Sequence, residues 1–227
     1  MHYFHHFNSP DTFLGLTTGA WTAIVTLLAV IVALYQEWIK DIWDHASLKM
    51  EIIPSPPDTH QIYLGDGHEL TSRCLYIRIR VTHVKGKSAE DVEIMATNFW
   101  KINTSGSREK ISSFLPMNLK WSHFQPSRTN IRVPKGLFRH CDLGSIRPGA
   151  NESLCILLID TMVQPNPVSG NIYPNIILPG KYEFELMLTG SNTKVLKQCW
   201  QLEFQNRWSD DENDMLSYLK IKELADI

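Results

Sequence analysis

Charge is missing from one long stretch of this chain: no Asp, Glu, Lys or Arg occurs from Thr12 to Gln36, 25 residues bounded by Asp11 and Glu37. Charged residues make up 20% of the whole sequence, so the run is a break in its composition. At about 1.5 Å rise per residue a helix of that length reaches roughly 37 Å, enough to cross a hydrocarbon core of ~30 Å with tilt. Basic residues are also missing before the run, since all 22 Lys and Arg follow it and Lys40 is the first. A cleaved secretory leader needs a basic start and a small-residue exit, but Met1 to Asp11 has no Lys or Arg and Ala33-Leu34-Tyr35-Gln36-Glu37-Trp38 has no Ala-x-Ala-like exit. The run therefore reads as an uncleaved single-pass anchor. The positive-inside tendency then places the following domain in the cytoplasm, at the cell inner membrane. Tyr35, Trp38 and Trp43 supply an interfacial belt on that side.

Cysteine is scarce: Cys74, Cys141, Cys155 and Cys199 are too few and too scattered for a disulfide framework or a zinc knuckle. No GxSxG, HExxH, phosphate-binding loop or dinucleotide fingerprint occurs, so no enzyme and no cofactor is expected. The nearest approach to a metal or catalytic constellation is His140-Cys141-Asp142, with Asp58, His60 and His123 elsewhere. Neighbours on an extended strand point to opposite faces, which argues against His140 and Cys141 acting together, and no metal is expected. The net charge of −2 excludes a chain that binds polyanions over its whole surface.

Acid is missing once more from Lys110 to Cys141. That segment holds Lys120, Trp121, Arg128, Arg132, Lys135, Arg139 and His140, with Phe114, Phe124 and Phe138 interleaved. Cations for phosphates and aromatic faces for bases are what a nucleotide or single-stranded oligonucleotide requires, so these seven are the candidate ligand-binding residues. A solvated basic face over core aromatics is the plainer reading.

Within the charge-free run, Gly15, Gly19, Thr22, Thr26, Ala29 and Ala33 recur at steps of three and four, a stripe of small residues on one helix face. Such faces let helices approach closely in lipid, so homo-oligomerisation through this stripe is expected. A single span encloses no conduit alone, and a pore would need that association. Beyond it the chain turns to period-two alternation: Leu75, Ile77, Ile79 and Val81; Val92, Ile94 and Ala96; Tyr182, Phe184, Leu186 and Leu188; Leu196 to Phe204. With Leu48 to Ile53, Leu154 to Ile159 and Ile111 to Trp121 these give a seven- to eight-strand antiparallel β-sandwich, immunoglobulin-like. Lys85-Gly86-Lys87 reads as a hairpin turn between the first two runs, which would set Arg78 and Arg80 against Glu93. Pro54 to His68 reads as a loop, and Ser209 with Glu212 as the capping box of a short C-terminal helix. The expected organisation is a tail over 1–11, a helix with a juxtamembrane extension over 12–46, and a soluble domain over 47–227.

Pro56-Pro57-Asp58-Thr59-His60, Tyr76 to Val81, Ala89 to Glu93, Phe114 to Ser122, His140 to Gly144, Pro179 to Tyr182 and Trp208 to Glu212 together resemble a widespread family of uncharacterised prokaryotic single-pass membrane proteins with a C-terminal β-rich domain. Thr59 stands where that pattern has Cys, and His83-Val84-Lys85-Gly86 where it has Asn-x-Gly. The resemblance implies the span and the β-rich fold and brings no catalytic residue. The layout is similar to transmembrane effectors of bacterial anti-phage defence systems, by architecture alone. The expected function is accordingly a membrane-anchored effector that assembles into a pore or ion channel gated by a nucleotide or oligonucleotide. The alternative is a membrane-tethered adaptor or accessory subunit that binds a protein partner through the β domain.

Overall fold

The computed structural model describes residues 12–13, 16–65, 70–124, 126–148, 154–163, 165–167 and 173–225. In chain order its elements are β1 (Thr12–Phe13), β2 (Leu16–Thr17), α1 (Thr18–Asp44), β3 (Ser47–Ile52), β4 (Thr59–Gly65), β5 (Leu70–Lys85), β6 (Ala89–Ile102), β7 (Arg108–Lys110), β8 (Met117–Asn118), β9 (Lys120–Trp121), β10 (Ile131–Val133), β11 (Phe138–Pro148), β12 (Cys155–Ile159), β13 (Ile176–Ile177), β14 (Gly180–Thr189), β15 (Leu196–Phe204), α2 (Glu212–Ser217) and β16 (Leu219–Leu224). Two compact units divide between Asp44 and His45.

In the first unit the helix starts at Thr18 and not at Thr12, because Thr12–Phe13 pairs antiparallel with Leu16–Thr17. The stretch Thr18–Gln36, 19 residues, is long and apolar enough to cross a membrane, and none of it is buried. At about 1.5 Å per residue it rises ~28 Å, close to the hydrocarbon thickness. The hydroxyls of Thr22 and Thr26 donate to the carbonyls of Thr18 and Thr22, at 2.9 and 2.8 Å, so both are satisfied within the helix. Gly15 and the tail over 1–11 lie outside the described residues, as do the side chains of Trp38 and Trp43.

The second unit is mainly β, two antiparallel seven-stranded sheets that enclose one core. One sheet runs β10-β6-β14-β15-β16, with β8 and β7 continuing along the same edge of β6 as β10. The other runs β13-β12-β11-β5-β3, with β4 beyond β3 along β5 and β9 against β11. Alternation decides what goes inside: Tyr182, Phe184, Leu186 and Leu188 of β14 are buried, and so are Leu75, Ile77, Ile79 and Val81 of β5. Phe99 and Phe184 stack with centroids 5.1 Å apart, and Phe114 tilts on Phe99 at 4.8 Å.

Three local expectations give way. The turn at Lys85-Gly86-Lys87 is not a hairpin, because it carries the chain from β5 in one sheet to β6 in the other. Arg78 and Arg80 consequently face Asp142 and His140 across the β5–β11 register, and not Glu93. The described part of the segment Pro54 to His68 is a short turn through Pro56 and Pro57 followed by strand β4, which reaches Gly65, and 66–68 lie outside the described residues. At the C-terminus Asp211, not Ser209, caps α2 by accepting the amides of Asn213 and Asp214, and Leu219 opens a further strand. Met215 is buried and docks the helix as its apolar spacing indicates.

Candidate functional site

Every second residue of β5 points away from the core, and on this sheet the outward row is polar where an edge-on solvent face would be plain. Tyr76, Arg78 and Arg80 meet Ser145, Asp142 and His140 of β11 in register. The turn before β4 then lays Asp58 over that row, fully buried. Its Oδ1 accepts from Arg80 Nη2 and from His140 Nε2, each at 2.8 Å, which fixes the proton of His140 on Nε2. Arg78 donates to the carbonyl of Pro57 and lies 3.3 Å from His123 Nε2. Beside it Ser122 donates to Asp142 Oδ1, Tyr76 to Asp160 Oδ2 at 3.3 Å, and Lys120 pairs with Asp160 at 3.0 Å. A continuous polar layer thus pins the Pro56-Pro57 turn and the residues after β9 to the sheet.

Burial sets the protonation of this layer. Withdrawal from water pushes the His60 and His140 pKa values down, although the Asp58 hydrogen bond pulls His140 partly back. Burial also raises the Asp142 carboxyl, against the hydrogen bonds from Ser122 and Tyr76. Cys74 is pushed up to about 11 and Cys141 well above the ordinary thiol, both by burial, so neither is a thiolate near neutrality. Among the described residues no three His, Cys, Asp or Glu side chains gather as a metal-binding group. His140 and Asp58 are joined, and Cys141 points into the core on the other side of its strand.

A stability prediction follows from the two histidines. Below the unfolded value of ~6.5 the unfolded chain binds more protons than the folded one, so stability should fall as pH falls from about 7 through that window. Asp142 acts oppositely at lower pH, because its raised folded pKa lets the folded state take up a proton first as pH falls toward the unfolded value. The urea midpoint of the intact chain in detergent, followed by Trp fluorescence, should therefore drop on mild acidification, with a shallower drop in His140→Gln. A midpoint that rises over the same range contradicts the assignment.

The seven residues of the acid-free segment do not converge on one surface. Trp121 is a core residue, 2% exposed, with Nε1 donating to the carbonyl of Thr129 at 2.9 Å. Lys120 and His140 belong to the polar layer just described. Arg128 lies over the ring of Phe124 at 5.7 Å, and Phe124 packs against the core. Arg139 is the register partner of Val81, half-buried near the start of β11. Arg132 of β10, on the other sheet, pairs with Glu90 at 2.9 Å.

Arg132 and Lys135 come together elsewhere, in a cleft of about 370 Å³ with Lys87, Ser88, Glu90 and Asn192. That cleft sits at the end of the sandwich where the chain arrives from α1. The amide of Ala46 donates to Asn192 O at 2.8 Å, and Ala46 bridges Thr193. Asn192 clamps the neighbouring turn, accepting from the Glu90 amide and donating to Ser88 O, each at 2.9 Å. His83 does the same for the β10–β11 loop: its amide donates to Leu137 O at 3.0 Å and its Nδ1 accepts from the Gly136 amide at 3.3 Å. Sequence marks Lys87 only as a turn residue and does not mark Asn192, because the cleft's neighbours come from turns about a hundred residues apart.

A second cleft, of about 290 Å³, lies between β4 and the start of α2, where Arg73 pairs with Asp210 at 3.1 Å and Gln61 binds the carbonyl of Ser209 at 2.7 Å. Asp211 is occupied there as the helix cap, which leaves the acids of this region with structural tasks. No protein-family model matches the chain, and no curated protein matches it.

Proposed function

We propose that this chain is a single-span membrane protein whose helix anchors it and associates with copies of itself, and whose sandwich is a binding domain and not a catalytic one. The observation that carries the reading is the 19-residue apolar stretch Thr18–Gln36, none of it buried. Apolar helix surface left in water costs about 25 cal/mol per Å², so the stretch needs lipid or other helices around it. The helix runs on to Asp44 without a break and the chain enters the sandwich two residues later, which suits a retained anchor better than a removable leader. Gly19 supports association, since a Cβ there would meet nothing within 4 Å and the backbone is open to a close neighbour. An assembly of this kind is the least that a conduit would require. On the soluble side, the ligand class that fits best is an anion received by the basic cleft of Lys87, Arg132 and Lys135.

Gly19→Leu should reduce the oligomer fraction in bilayers by of order tenfold, read by chemical cross-linking, while leaving the chain membrane-bound. An unchanged fraction would remove the stripe from the interface. A second reading, a tethered adaptor, is favoured by β16, which ends its sheet with one edge unpaired among the described residues. A wild-type chain that is monomeric in bilayers and captured by a partner lost on Ile221→Pro supports that reading instead.

A further inference from the structure

We propose that the end of the sandwich carrying the chain entry docks on the anionic headgroups of the bilayer that α1 crosses. The proposal rests on α1 being a span, and it names the source of the anion for the basic cleft. Three loops form this end, over 84–88, 134–138 and 190–195. They carry Lys85, Lys87, Lys135 and Lys194 and no Asp or Glu. Their tips are also apolar: Val84, Leu137 and Val195 are 57%, 50% and 61% exposed. The first acids beyond them on β6 are Glu90, held by Arg132, and Asp91.

Chain length brings this end to the membrane. Eight residues lie between Gln36 and His45, nine rises or about 13 Å of helix, and the headgroup layer beyond the hydrocarbon is itself ~5–8 Å deep. The loops flank the entry closely, since a Cβ on Gly86 would lie 2.0 Å from the carbonyl oxygen of His45. Lysines with aliphatic tips are the chemistry of an anionic interface: ammonium heads take phosphates while short apolar side chains enter the acyl boundary. Nucleic acid would want several stacking faces, and these loops offer one aromatic, Phe138, 48% exposed, with His140 at its edge and Arg80 5.1 Å from its ring centre. The clamps made by Asn192 and His83 hold the three loops together before any docking, so little ordering is needed.

The full chain would be reconstituted in nanodiscs of phosphatidylcholine alone and of phosphatidylcholine with phosphatidylglycerol, and amide exchange followed in the three loops. Exchange should slow by roughly fivefold or more in the anionic discs, and high salt should abolish the difference. Lys87→Glu, Lys135→Glu and Lys194→Glu combined should erase it while exchange in β5 and β14 stays as in the wild type. Equal loop exchange of the wild type in both bilayers overturns the proposal, a result independent of whether the variant folds. Protection by a short oligonucleotide in neutral discs, without any by phosphatidylglycerol, also overturns it and assigns the end to nucleic acid. Loss of the wild-type chain from vesicles in alkaline carbonate would instead overturn the span on which the proposal rests.

Discussion

Asp58→Ala should lower the stability of the sandwich by about 2–4 kcal/mol, the largest loss expected from any single polar change. Asp58 is fully buried, and its Oδ1 accepts from both Arg80 and His140 at 2.8 Å. Truncation strands the Arg80 guanidinium and the His140 Nε2–H beneath the Pro56-Pro57 turn. The figure sits at or below the full penalty for a broken buried pair because the Arg80 side chain is 26% exposed and can recover some water. Asp58→Asn retains an acceptor and the shape, so it should lose less. A readout specific to the contact is the His140 titration: without the Asp58 hydrogen bond its pKa should move further down. A His140 titration unchanged in Asp58→Ala would show that the contact does not set its protonation.

Gly86→Val should cost at least about 3 kcal/mol, by two routes that act at one residue. The backbone there has φ +90°, which β-branched side chains avoid, and the new Cβ would meet the His45 carbonyl oxygen at 2.0 Å. Backbone against backbone has no soft side chain to yield, so either the turn or the chain entry must move. Gly106→Val is the matching control, since Gly106 has φ +81° with open space around it and so incurs only the conformational cost of ~1–2 kcal/mol. Similar chemical denaturation midpoints for the two variants would show that the turn does not bear on the chain entry.

Inward-facing residues were readable from sequence and their neighbours were not. Alternation in β5, β6, β14 and β15 states which side chains leave water, because burial on one face of a sheet repeats every two residues. It says nothing of which strand lies alongside. The sequence pattern around Lys85-Gly86-Lys87 suits a hairpin, yet Ile79 and Ile94 enter the one core from separate sheets and the turn crosses between them. β16 escaped notice because Leu219, four residues on from Met215, suits the apolar face of the short helix as well as the start of an edge strand. The placement of the acid-free segment's cations was hidden for a related reason: local composition cannot show that Lys120, Arg132 and His140 meet Asp160, Glu90 and Asp58, which come from outside it. Long-range ion pairs neutralise much of what the segment advertises. The basic surface that remains is assembled from three separate turns with one or two lysines each, a pattern that emerges only once topology brings the turns to one end.

The mass of the full-length chain released from bilayers, by native mass spectrometry, tests the central claim most directly. A discrete homo-oligomer that falls to monomer with Gly19→Leu is the expected result. A wild-type chain that leaves the bilayer as a monomer at every protein concentration would contradict self-association through α1.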